Sequence, residues 1–98
     1  MKLFYKPGAC SLAPHIVANE AGIDLDLVKV DLASKRTEQD RDFLAVNPNG
    51  YVPALVLPDG ELVTEAAVIV QYLADRKPES GLMPEAGGMA RYRVQEWL

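Results

Sequence analysis

The sequence predicts an α/β chain in which a β-α-β opening is joined to a β-β-α half. Three observations lead there. The apolar runs Lys2 to Tyr5 and Leu25 to Asp31 flank a helical pattern that closes at Gly22. Pro58-Asp59-Gly60 separates two further apolar runs in the manner of a hairpin turn. Glu65 to Lys77 then carries apolar residues at helical spacing and stops at Pro78.

Taken in order, Lys2 to Tyr5 is a short, mostly apolar strand. Pro7-Gly8 turns the chain, because proline fixes φ and glycine tolerates positive φ. Cys10 and Ser11 follow, the serine suited to capping a helix. That helix runs from about Ser11 to Gly22, with Pro14 tolerated in its first turn. Leu12 and Ile16, with Ala13 and Val17, give it an apolar face. Leu25 to Asp31 is the second strand, parallel to the first because a helix spans the crossover. Asp31 to Asp42 is polar and reads as a loop leading into a short helix through Phe43 and Leu44. Asn47-Pro48-Asn49-Gly50 is a dense turn signal. Ala54 to Leu57 and Glu61 to Val63 form the hairpin. Thr64 caps the last helix of this half, whose inward stripe is Ile69, Tyr72, Leu73 and Arg76. Residues 79–87 are a linker rich in Pro, Gly and Glu. Residues 88–98 begin a new helical pattern with Tyr92, Val94 and Trp97 as apolar positions. That pattern meets no stop signal before Leu98, so the expectation is a truncated first helix of a further domain.

Composition bounds the function. Ninety-eight residues make one small domain, or one domain and a fragment, and 49% hydrophobic content suffices for a core. A net charge of −4 argues against nucleic acid and against an anionic membrane surface as partners. A single cysteine excludes an internal disulfide framework and fits a reducing, cytoplasmic compartment. No apolar run reaches membrane-spanning length, and Pro7-Gly8 comes too early for a signal peptide. No metal is expected.

Three motifs carry chemistry. Cys10 sits at a strand-to-helix turn, where free N–H groups and the helix dipole favour a thiolate. The bland alternative is a buried cysteine acting as a small hydrophobe. Cys10-Ser11-Leu12-Ala13 has the spacing of a Cys-x-x-Cys site, with Ala13 in place of the resolving thiol. Such a site can form only a mixed disulfide, or hold a thiol supplied by a ligand. Val52-Pro53 heads a strand and reads either as an ordinary trans turn or as a cis-proline beside the thiol. The cis reading leaves the Val52 N–H and carbonyl free for a peptide-like ligand. Thr64-Glu65-Ala66 opens a helix, where N–H groups suit a carboxylate and Glu65 suits an ammonium. Its plain alternative is a capped helix with a dipole-favourable glutamate. His15, inside the first helix, is expected to be structural.

These motifs coincide with a family. The chain resembles the N-terminal, thioredoxin-like domain of cytosolic glutathione S-transferases, most nearly the beta class. The resemblance rests on Met1 to Tyr5, Pro7 to Leu12, Val46-Asn47-Pro48, Gly50 to Leu55, Leu62 to Glu65 and Ile69 to Asp75. It implies a thioredoxin-like βαβ–ββα domain over residues 1–78, the linker 79–87, and an all-α second domain from residue 88. It also implies site roles. Cys10 faces the glutathione sulfur with Ser11 nearby, and Lys35 meets the glycyl carboxylate. Val52 pairs through its backbone with the cysteinyl unit, and Glu65 with the amide of Ala66 takes the γ-glutamyl head. Ala66 stands where the family usually has serine or glycine, so only its backbone serves the carboxylate. The implied activity is conjugation of glutathione, the co-substrate, to electrophilic small molecules. The second domain of this family supplies the electrophile pocket, a catalytic histidine and much of a homodimer interface. Two rivals stand beside that reading: a glutaredoxin-like thiol transferase working through Cys10, and a non-catalytic glutathione-binding or assembly module.

Overall fold

The computed structural model describes residues 1–98 and builds one five-stranded mixed sheet. Strand β1 (Lys2–Tyr5) lies at its centre, parallel to β2 (Asp26–Asp31) and antiparallel to β4 (Ala54–Val56). The edges are β3 (Arg36–Thr37), beside β2, and β5 (Leu62–Thr64), beside β4. The spatial order is β3-β2-β1-β4-β5. Helices α1 (Leu12–Ala21) and α2 (Ala66–Arg76) pack on one face, and α3 (Met89–Gln95) follows them. This is the α/β order that the residue patterns predict and the thioredoxin-like arrangement that the resemblance implies.

Side-chain alternation along β1 divides the core. Leu3 points to the helical face, where Leu55, Ala18, Ile69 and Leu73 close around it. Phe4 points to the other face and joins Val28, Val30, Ala54 and Phe43. The Phe4 and Phe43 rings lie 5.5 Å apart and tilted, a favourable aromatic pairing. Phe43 belongs to a 3-10 turn, Phe43–Ala45, whose first free N–H groups are served by the Asp42 carboxylate at Leu44. One face is thus covered by helices and the other by this single turn.

Several local expectations need correction. Arg36–Thr37 is a strand, pairing Val30 with Thr37 and Asp31 with Arg36, where a loop was predicted. Two charged or polar residues are too few to show an alternation. On α1 the buried residues are Pro14 and Ala18, while Leu12 and Ile16 are exposed. The helix turns Pro14 and Ala18, four apart, onto the sheet. On α2 the inward positions are Ile69, Leu73 and Ala74, and Arg76 is exposed. Neither expected cap forms. Thr64 ends β5, α2 begins at Ala66, and Ser11 makes no side-chain bond to the helix it precedes. The stop at Gly22 does hold, with φ 72° and its N–H returned to Ala18 and Asn19.

Helix α3 is held by a charge rather than by its apolar positions. Tyr92 and Trp97 are exposed, and Arg91 is buried. Its guanidinium meets both Asp75 oxygens at 2.8 Å and donates to the Pro84 carbonyl at 2.8 Å. The paired fork geometry is the strong form of this contact. Arg91 in turn holds the Asp75 carboxyl below the ordinary carboxylate range. A carboxyl depressed on folding stabilises the native chain above its unfolded pKa, and that contribution is lost as pH falls through the folded value. Asp75→Asn should therefore lower the thermal midpoint at pH 7 by about 5 °C. The gap between the two melting curves should hold down to about pH 4 and close as pH falls further, through the depressed value of the folded carboxyl. Thermal melts across pH 2–7 check this; a gap that stays constant into acid contradicts it.

Candidate functional site

Three segments of the chain meet in a cleft of about 150 Å³. Cys10, Asn47, Tyr51, Val52, Glu65 and Ala66 are among its walls. Larger open grooves exist, one of about 580 Å³ along Lys29 and Arg36 and one of about 630 Å³ by Ile23 and Lys77. Neither contains the thiol, nor do the hollows of about 230 and 300 Å³ at the starts of α1 and α2, so chemistry rather than volume selects the cleft.

The first wall is the turn from Lys6 to Ser11. Gly8 takes φ 75°, which a side chain would resist. The Ser11 hydroxyl reaches back across the turn, accepting from the Lys6 N–H and donating to the Lys6 carbonyl, each at 3.0 Å. Ser11 is fully buried by this bond pair. Ser11 is not among the cleft walls; its hydroxyl fixes the turn that presents Cys10. Cys10 itself is exposed, so the buried-hydrophobe alternative fails. The Leu12 N–H is taken by the Ala9 carbonyl, and Pro14 has none to offer. Donors near the sulfur at this helix start are consequently fewer than a generic N-terminus has.

The second wall is the loop Asn47–Pro53. Its Val52–Pro53 peptide is cis. Neither the N–H nor the carbonyl of Val52 makes a backbone hydrogen bond. Both remain available to an extended ligand, as a strand edge would be. Lys35 is not among the cleft walls, but it holds this loop at the edge of the cleft. Its ammonium donates to the Gly50 carbonyl at 2.8 Å and sits 5.7 Å from the centre of the Tyr51 ring. The turn that delivers Lys35 is organised by Asp31, whose carboxyl is held low by the N–H groups of Ala33 and Ser34.

The third wall is the junction of β5 and α2. Glu65 adopts φ 70° and ψ 123°, a conformation that glycine enters far more easily. Its carbonyl closes the first turn by accepting from Val68 and Ile69. The N–H of Ala66 opens the helix with no partner behind it. A carboxylate beside a helix N-terminus puts an acceptor for an ammonium next to donors for a carboxylate. That pairing suits the zwitterionic head of an amino acid.

A family model described as the glutathione S-transferase N-terminal domain matches residues 8–76. The chain belongs to the glutathione S-transferase family. It is 56% identical over 98 residues to glutathione S-transferase GstA of Escherichia coli O157:H7, covering 100% of this chain and 49% of that one. A glutathione transferase structure from Methylococcus capsulatus strain Bath is 64% identical, with a TM-score of 0.95 over 98% of this chain and 47% of that one. A sphingomonad glutathione S-transferase complexed with glutathione is 56% identical, with a TM-score of 0.94 over 98% and 48%. The chain spans about half the length of the curated relatives it matches.

Of the residues expected at a transferase site, Cys10, Val52, Glu65 and Ala66 line the one cleft, Lys35 braces its rim, and Ser11 lies beneath it. Sequence reading assigned no site role to Asn47 or Tyr51, both of which line the cleft. The only signal was their place in and just after a turn cluster. The strained backbone at Glu65 gives a direct check. Glu65→Gly should be more stable than Glu65→Ala by about 1 kcal/mol, because glycine relieves the positive φ that alanine keeps. Urea unfolding of the two variants measures the difference, and an alanine variant at least as stable as the glycine one contradicts the strain.

Proposed function

We propose that this chain binds glutathione in the Cys10–Val52–Glu65 cleft and serves a transferase that conjugates glutathione to electrophilic small molecules. The observation that carries the reading is the coincidence of three unrelated features in one cleft. These are a free peptide edge at Val52, a helix N-terminus with Glu65 at Ala66, and an exposed thiol. Glutathione has a matching feature for each. Its cysteinyl amide pairs with Val52, its γ-glutamyl ammonium with Glu65, its γ-glutamyl carboxylate with the Ala66 N–H, and its sulfur lies toward Cys10. Lys35, at the rim, serves the glycyl carboxylate.

In conjugation the glutathione thiol loses its proton, and the thiolate attacks an electrophilic carbon. A sulfur–carbon bond forms as the bond to the leaving group breaks, and the leaving group carries off the electron pair. The part played by this chain is orientation: the backbone contacts at Val52 and Ala66 and the side chains of Glu65 and Lys35 fix the peptide so that its sulfur is held at one point. The domain reading accompanies this proposal. Residues 1–78 are the glutathione-binding domain, 79–87 the linker, and 88–98 the opening of an all-helical domain that carries the electrophile pocket and the homodimer contacts. The exposed apolar residues Leu12, Ile16, Val68 and Trp97 support it. A cytoplasmic setting agrees with a single reduced cysteine, and no helix is long and apolar enough to cross a membrane.

One observation favours a second reading. Cys10 is exposed and has no companion thiol, so a disulfide formed with glutathione cannot be released from within the chain. A stable glutathionyl adduct on Cys10 after exposure to glutathione disulfide supports thiol transfer beside, or instead of, conjugation.

Calorimetric titration tests the main reading. Glu65→Ala removes a charge-assisted contact to the ligand ammonium and should weaken glutathione about 10- to 100-fold while the variant stays folded. Equal affinity for variant and wild type ends the assignment.

A further inference from the structure

In the Asn47–Tyr51 turn Pro48 and Asn49 are exposed, and Tyr51 at its end is 71% exposed. Little apolar packing is available to fix it. Two side chains do so instead. Lys35 takes the Gly50 carbonyl from the rim at 2.8 Å. Asn47 takes the next carbonyl, that of Tyr51, from inside at 2.9 Å. Asn47 is itself 2% exposed, and its Oδ1 accepts from the Asn49 N–H at 3.2 Å. Its backbone accepts from the Gly50 N–H and donates to the Phe43 carbonyl, each at 2.9 Å. A continuous path therefore runs from the buried Phe43 through Asn47 to the Tyr51 carbonyl. The following residue is Val52, whose own N–H and carbonyl make no backbone bond.

We propose that Asn47 is a positioning residue for glutathione, acting through Val52. By holding the Tyr51 carbonyl it fixes the peptide plane that leads into Val52, and so sets the place of the Val52 N–H and of the Val52 carbonyl, the two groups presented to the cysteinyl unit. This role rests on the glutathione reading above. It also explains the residue type. Both ends of an amide are used, Oδ1 as acceptor and Nδ2 as donor, and each partner defines which end is which. Aspartate has no donor for Tyr51, and a carboxylate facing that carbonyl repels it.

The test is calorimetry on wild type, Asn47→Asp and Asn47→Ala with two ligands: glutathione, and its analogue N-methylated at the γ-glutamyl–cysteinyl amide. Methylation removes the donor to the Val52 carbonyl. Asn47→Asp should weaken glutathione about tenfold. Methylation should cost the Asn47 variants less than it costs wild type, because the contact it removes is already misplaced. Additive losses, or a folded variant with wild-type affinity, overturn the proposal. If thermal melts show both variants unfolded, the wild-type chain decides by NMR. The Asn47 side-chain NH₂ signals should shift with the same midpoint as the Val52 amide during a glutathione titration. A shift at Val52 with none at Asn47 overturns it. A wild-type chain that binds no glutathione removes the functional reading, and this role with it; binding retained with Asn47 uncoupled removes this role alone.

Discussion

Backbone polar groups that leave a sheet or open a helix must find partners, and this fold leaves some of them without one in a single cleft. Val52 stands one residue before the cis proline and two before β4, so no ladder claims its N–H or carbonyl. Ala66 opens α2, so its N–H has no helical acceptor. Both line the space above Cys10. A ligand that is itself a peptide with a charged head satisfies both at once. The remainder of the structure holds those groups still. Ser11 pins the Lys6–Ser11 turn, Lys35 and Asn47 pin the loop before Val52, and the strained Glu65 sets the angle between β5 and α2.

The sheet is what fixes the distance between these parts. Leu3 and Phe4, adjacent in β1, commit to opposite faces and anchor two separate clusters. Ile69 and Leu73 tie α2 to the first cluster, which orients the N-terminus of that helix. Phe43 ties the 3-10 turn to the second cluster, and the loop toward Val52 starts there. One mutation in β1 can thus disturb two walls of the cleft from opposite sides of the sheet. Arg91 does comparable work at the far end of α2, where it joins Asp75 to the Pro84 carbonyl and seats α3.

The order of strands and helices was legible because it rests on patterns many residues long: alternation, helical spacing, and the punctuation of Gly22, Pro58-Asp59-Gly60 and Pro78. Cys10, Val52, Glu65 and Ala66 were legible for a related reason. Each stands at a boundary where a strand or helix begins, and boundaries are where backbone groups go unpaired. What escaped was decided by single contacts between distant residues. The Ser11 hydroxyl turned back to Lys6 rather than capping α1, because the turn offered it both a donor and an acceptor. Lys35 met Gly50, fifteen positions further along the sequence. Arg91 was buried because Asp75 and Pro84 waited for it, whereas its neighbours Tyr92 and Trp97 stayed exposed. Arg36–Thr37 escaped because a strand so short leaves no periodicity to read.

The central claim is that unpaired backbone groups, together with Glu65, bind glutathione. Amide NMR shift mapping during a glutathione titration of the native chain addresses it most directly. The account predicts saturable shifts with one common midpoint at Val52, Glu65, Ala66 and Cys10, while Lys29 and Arg36 in the larger groove stay still. Shifts confined to that groove, or none that saturate at Val52 and Ala66, contradict it.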